Sequence, residues 1–221
     1  MQTCIPGLFW TRLLNWHINN ERLYPWRSTK NPYHVLIAEF LLQQTNAELA
    51  LTAYTEFLRL FPSILSLVHA DPVDVENIIG RIGLTYRAQR LKQCAEAIVT
   101  TFDGQVPRSR NNLLTLPGVG PYIADAVLCY AFDEPTVPID TNVIRLFSRF
   151  FGLKSNKSRP RTDKVLAENI AFLYPNPISR RENLAVLDFA SLICKAKNPH
   201  CDLCPFSCLC AFTAIKTCHN N

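Results

Sequence analysis

The sequence predicts an all-α protein. Apolar residues recur at helical spacing along nearly the whole chain, no stretch alternates apolar and polar as a half-buried strand would, and proline or glycine breaks the periodic runs at short intervals. The 221 residues suffice for one large domain or two small ones with a substantial core. At 48% apolar residues the chain is globular rather than disordered. No apolar run is long enough to cross a bilayer and no signal-peptide pattern is present, so a soluble intracellular protein with no membrane association is expected. The net charge of +5 suits a nucleic-acid partner without requiring one.

The first helix is expected at 6–20, with Leu8, Phe9, Leu13, Leu14 and Trp16 on its apolar side. A loop of turn formers follows, carrying Tyr24-Pro25-Trp26-Arg27 and Asn31-Pro32-Tyr33. From 33 to 45 the pattern is apolar nearly all round, which predicts a buried helix. Its single acid, Glu39, lies either on a thin solvent stripe or in a desolvated position. Gln43-Gln44-Thr45-Asn46 closes that helix as an ordinary terminus, or as flat amides able to fill a gap in a base stack. Further helices are expected at 47–61, 62–68, 71–79, 87–102 and 107–116, then from Pro121 onward, up to 151, at 162–173 and at 183–193, about ten in all. A basic loop holding Lys154, Lys157, Arg159 and Arg161 is either solvated surface or a phosphate contact.

Three motifs carry chemistry. The first is Leu116-Pro117-Gly118-Val119-Gly120-Pro121-Tyr122. It combines a helix end, a tight turn at 117–120, and a new helix with proline in its first turn, where a missing N–H costs nothing. The N–H groups of Val119 and Gly120 are expected to point outward and form a small anion site fitted to one phosphate. A plain helix–helix turn has the same look. The second is Asp140, after Pro138-Ile139 and before the periodic run from Val143 to Phe150. It reads as an N-cap, or as a carboxylate that the helix dipole keeps ionised beside the hairpin. The third is Cys194-x6-Cys201-x2-Cys204-x5-Cys210. Nine cysteines in an intracellular chain favour metal ligation over disulfides. Four thiolates suit zinc or an iron–sulfur cluster; a single C-x2-C with long outer gaps reads as a [4Fe–4S] loop, with zinc as the alternative. Cys208 reads as a bystander, and Cys4, Cys94, Cys129 and Cys218 as ordinary cysteines.

Together, in this order, LPGVGPY, PIDTNV and the terminal cysteine spacing resemble the helix-hairpin-helix (HhH-GPD) DNA glycosylases of the endonuclease III superfamily. The resemblance implies two helical domains with a DNA-binding groove between them. One would span 25–134, with the hairpin motif at about 107–132. The other would combine 1–24 with 135–221, including the cluster loop at 194–210. Residues 24–27, 31–33 and Ala38-Glu39-Phe40-Leu41-Leu42-Gln43-Gln44-Thr45 are similar to the MutY adenine glycosylases and to the thymine–guanine mismatch glycosylases. Where the bifunctional branch has a lysine nucleophile, this chain has Tyr122, which implies hydrolysis without efficient strand cleavage.

By that resemblance Asp140 stabilises the sugar cation, Glu39 protonates the leaving base, and Tyr122 orients both. Gln43 and Gln44 would fill the space of the flipped base, with Tyr86 as a wedge and Leu116, Gly118, Val119 and Gly120 at the DNA backbone. The expected partner is double-stranded DNA containing a mismatch, met by a monomer in the cytoplasm or nucleoid; no protein partner is deducible. The expected reaction is monofunctional excision of thymine, or uracil, opposite guanine. The 82–88 segment lacks the Gly-Leu-Gly-Tyr-Tyr pattern of most adenine enzymes, and the chain stops soon after Cys210, where full adenine enzymes continue into a further domain. The alternative is adenine excision opposite guanine or 8-oxoguanine; a bifunctional lyase or a non-catalytic DNA-binding protein is less favoured.

Overall fold

A computed structural model describes residues 4–83 and 86–218, with side chains at 6–83 and 86–214. Cys4 and Cys218 therefore lie outside the described side chains. Among the described residues there are thirteen α-helices and two short 3-10 turns, and no strand. None of the helices is long and apolar enough to cross a membrane. Contacts divide the chain into two compact units, Leu23–Pro138 and Met1–Arg22 with Ile139–Asn221.

The Leu23–Pro138 unit contains α2 (Pro25–Ser28), α3 (Pro32–Leu42), α4 (Ala47–Leu60), α5 (Ile64–Val68), α6 (Pro72–Gly80), α7 (Tyr86–Thr101), α8 (Arg110–Thr115) and α9 (Pro121–Phe132). Helix α3 is its centre. Asn31 caps it by accepting the N–H groups of Tyr33 at 3.0 Å and His34 at 3.4 Å, and Pro32 supplies a preset φ at its first position. All of its residues from Val35 to Leu41 are buried, as the all-round apolar pattern predicts, and it packs chiefly on α9 and α4. Asp71 and Ser63 cap α6 and α5, so most helix starts follow local side-chain chemistry. Two elements differ from expectation. Helix α2 is too short for its periodicity to register, and α8 begins at Arg110 rather than 107, after a bend at Arg108 and an extended Ser109.

The other unit comprises α1 (Cys4–Ile18), α10 (Thr141–Phe151), α11 (Lys164–Phe172), α12 (Arg180–Leu192) and α13 (Ala211–Cys218). The last was not expected from the sequence, because the cysteine spacing obscures its periodicity. Helices α1 and α10 both pack on α12. Asp188, fully buried on α12, accepts the Arg22 Nε at 2.7 Å and backbone N–H at 3.1 Å, and meets His17 Nε2 at 3.0 Å. An aromatic core unites this unit: Phe9 lies 5.7 Å from Phe147 and 4.8 Å from Phe150. Phe206, from within the cysteine loop, is 1% exposed and meets Phe9 at 5.3 Å, Phe150 at 5.2 Å and Phe189 at 4.7 Å. It pins the loop to the core. Phe206→Ala is expected to lower the unfolding free energy by about 3–5 kcal/mol, read from denaturant midpoints; a change below about 1 kcal/mol would show that the loop is held by other means.

Candidate active site and cysteine loop

In the Leu23–Pro138 unit the hairpin turns at Gly118. Its φ is +81°, and a Cβ there would stand 2.8 Å from Phe40 Cε1, so glycine is needed both for conformation and for the close approach to α3. The turn is closed by a hydrogen bond from Val119 N–H to the Leu116 carbonyl at 3.1 Å, while Leu116 N–H donates to Leu113 at 3.1 Å. This corrects one expectation. Val119 does not present its N–H outward: the tight turn uses it internally, and the Leu116 and Val119 side chains are both buried. Leu116 and Val119 therefore build the turn, and Gly120 is the residue before α9.

The same unit holds several of the expected site residues. Glu39 is 4% exposed, which resolves its alternatives in favour of the desolvated position. Gln43 is half-buried at the C-cap of α3, and Gln44 is exposed in a left-handed conformation with φ of 52°. That conformation costs a non-glycine residue on the order of 1 kcal/mol. Tyr122 is half-buried in the first turn of α9. Tyr86, 52% exposed, is the first residue of α7.

In the other unit, Asp140 caps α10. Its Oδ1 accepts the N–H groups of Asn142 and Val143, both at 2.8 Å, and its Oδ2 accepts Asn142 Nδ2 at 2.6 Å. The sequence suggested that the helix dipole would keep this carboxyl readily ionised. The geometry adds an opposing cause: burial pushes its pKa above the usual carboxylate range, and the hydrogen bonds from Val143 and Asn142 and the nearby Arg145 charge only partly offset it. Asn142 and Arg145 were missed by sequence reasoning, although Asn142 sits within PIDTNV. Arg145 donates from Nη1 to Asn142 Oδ1 at 2.9 Å, from Nε to the Cys194 carbonyl at 2.9 Å, and from Nη2 to the Ala190 carbonyl at 2.8 Å. One guanidinium thus connects the neighbour of Asp140 to the first cysteine of the loop.

Cys194, Cys201, Cys204 and Cys210 line one cavity of about 30 Å³, with Arg149, His200 and Phe206 in its wall. Burial, helped by the neighbouring Cys210, Cys194 and Cys201 and partly offset by the Phe206 backbone N–H, pushes the Cys204 thiol up to about 11. Arg149 Nη1 reaches Cys194 Sγ at 3.5 Å and binds the Lys195 carbonyl at 2.6 Å, while its Nη2 binds the Ala196 carbonyl at 3.0 Å. Among the described residues no group of three or more His, Cys, Asp or Glu is arranged around one metal ion. The four-thiol donor set around one cavity suits either a [4Fe–4S] cluster or a four-cysteine zinc. Cys208 is exposed, and Cys94 and Cys129 are buried.

Helix, glycine turn and helix, with a capped aspartate and a four-cysteine loop downstream, define a class of DNA repair fold. The chain belongs to the HhH-GPD superfamily of base excision DNA repair proteins, whose model matches residues 37–172. Over 199 residues it is 39% identical to a thymine/uracil-DNA glycosylase of Pyrobaculum aerophilum, covering 88% of this chain and 86% of that protein. It is 33% identical over 196 residues to an adenine DNA glycosylase of Mycobacterium tuberculosis, covering 88% of this chain but 64% of that protein. A solved thermostable thymine-DNA glycosylase superposes with a TM-score of 0.87 at 33% identity, covering 95% of this chain and 97% of that one.

The raised Asp140 pKa has a consequence for stability. A carboxyl whose folded pKa exceeds its unfolded value favours the fold below the unfolded pKa, and that contribution is lost as pH rises through the folded value. Asp140→Asn keeps a good N-cap residue and removes the buried charge. It is expected to melt at or above the wild-type temperature at pH 7, with the difference shrinking toward pH 4. A variant that melts well below wild type at pH 7 would show that the hydrogen bonds outweigh burial.

Proposed function

We propose that the protein is a monofunctional mismatch glycosylase that removes thymine, and uracil, opposite guanine in double-stranded DNA, acting as a monomer. The observation that carries the reading is Asp140, a partly desolvated carboxylate fixed by three hydrogen bonds at the mouth of α10. Such a group is built for charge rather than for stability alone. The names of the similar thymine/uracil enzymes support the substrate.

The roles follow from the chemistry of the N-glycosidic bond. The target base must leave the stack before its C1′–N bond can be reached. Gln43 and Gln44, presented where α3 ends, are assigned to the gap it leaves. As the C1′–N bond breaks, its electron pair goes to the base, whose departure Glu39 assists by donating a proton. Asp140 stabilises the cationic sugar and then takes a proton from the water that adds to C1′. Tyr122 is a phenol, not an amine, so no Schiff base forms and the abasic product leaves uncut. Gly120 and the start of α9 are assigned to a DNA phosphate. Cys194, Cys201, Cys204 and Cys210 are assigned to a [4Fe–4S] cluster, which when bound supplies a structural clasp for the loop and a redox-active centre. A second reading, adenine excision, is favoured by Gln43-Gln44-Thr45 and by the 33% identity to an adenine enzyme.

Single-turnover base release on T·G, U·G, A·G, A·8-oxoG and matched duplexes, with and without alkali, tests the reading. Thymine and uracil release opposite guanine is expected, with strand breaks only after alkali. Asp140→Asn is expected to slow release by at least about 100-fold, and Glu39→Gln by about 100-fold or more. Preferential adenine release would transfer the chain to the second reading, and alkali-independent breaks would overturn the role of Tyr122. Anaerobically purified protein is expected to be brown, with about four irons and four sulfides per chain; colourless protein with one zinc would refute the cluster.

A further inference from the structure

The hairpin offers fewer backbone donors than its sequence suggests. Val119 N–H is turned inward, and α9 opens with Pro121, which has none. A phosphate held there still needs a compensating charge. Helix α7 brings one alongside. Arg90 Cβ lies 3.5 Å from where a Cβ on Gly118 would stand, which sets the root of its side chain against the turn. Its guanidinium carbon lies 5.8 Å from the centroid of the Tyr86 ring, one helical turn back, and Arg87 stacks on the same ring at 5.7 Å.

Neither arginine is neutralised by a carboxylate of the described residues. Arg81, Arg108 and Arg110 of this unit pair with Glu56, Glu134 and Asp125. Among the described residues no carboxylate reaches ion-pair distance of Arg87 or Arg90. Arg87 is 2% exposed; its Nη1 makes a long contact of 3.5 Å to the Phe40 carbonyl, and its Nε and Nη2 have no hydrogen-bond partner. A buried guanidinium without a counter-charge projects a strong positive potential onto the adjoining surface. Arg90 is exposed at that surface and held by the tyrosine face, so less side-chain entropy is lost on contact.

We infer that Arg90, braced on Tyr86 and backed by the buried charge of Arg87, is a phosphate-binding residue of the hairpin that supplies the charge its amides lack. The inference rests on the DNA glycosylase reading. It assigns Arg90 to affinity for the DNA backbone and not to bond cleavage.

The test is equilibrium binding of the full chain to labelled matched and T·G duplexes across a salt series, with single-turnover release at saturating DNA. Arg90→Gln is expected to weaken binding about tenfold at low salt and to reduce the slope of log K against log[salt] by about 0.9, the signature of one lost phosphate contact. Release at saturation should stay within about twofold of wild type, and Arg90→Lys should keep the slope. Arg59→Gln, the same charge change on exposed α4, serves as the control. An Arg90→Gln slope equal to wild type, or a loss no greater than that of Arg59→Gln, would overturn the inference while leaving the glycosylase reading intact. Wild-type binding that ignores salt would overturn the glycosylase reading itself.

Discussion

Arg145 holds the Asp140 region together. Its fork of N–H groups fills three acceptors drawn from different parts of the chain: Asn142 in the first turn of α10, Ala190 in the last turn of α12, and Cys194 at the start of the cysteine loop. The planar guanidinium reaches the three acceptors from three different nitrogens, a fork that the single nitrogen of a lysine does not reproduce. Its charge also sits where the α12 dipole is negative. Asn142, fixed from one side by Arg145, uses its amide N–H on Asp140 from the other. The aspartate is therefore oriented through a hydrogen-bonded chain that runs back to the first cysteine.

The cysteine loop is held by packing as well as by that chain. Phe206 enters the aromatic core between the last two cysteines of the set, and Arg149 binds the carbonyls of Lys195 and Ala196. The thiol-lined cavity is thus shaped in part by contacts beyond the four sulfurs, although Arg149 also reaches Cys194 Sγ. Around the hairpin the logic is similar: Gly118 makes room for Phe40, so the turn is set by α3, the helix that also carries Glu39. Positions that look like ligand contacts in a motif, Leu116 and Val119, serve to make the turn.

Much of this was legible in the residues. Helix periodicity placed most of the long helices to within a few positions, because amphipathic spacing and caps such as Asn31, Asp71 and Asp140 act locally. The cysteine spacing and the Gly-x-Gly turn were visible for the same reason. Helix α2 is too short to show a period, and α13 begins right after Cys210, where metal-type spacing masks its pattern. The burial of Glu39 could not be decided from a helix apolar on nearly every side, since such a pattern does not say which gap faces solvent.

The sequence by itself determined the helical class, the order of the motifs and the residue types able to do chemistry, since these depend on neighbours a few positions apart. Only the tertiary structure decided that Val119 turns its N–H inward, that Asp140 is desolvated against its own caps, and that Arg145 joins Asn142 to Cys194. These are long-range facts: the partner of each group lies on another element, and burial is a property of the packed chain that no local pattern encodes.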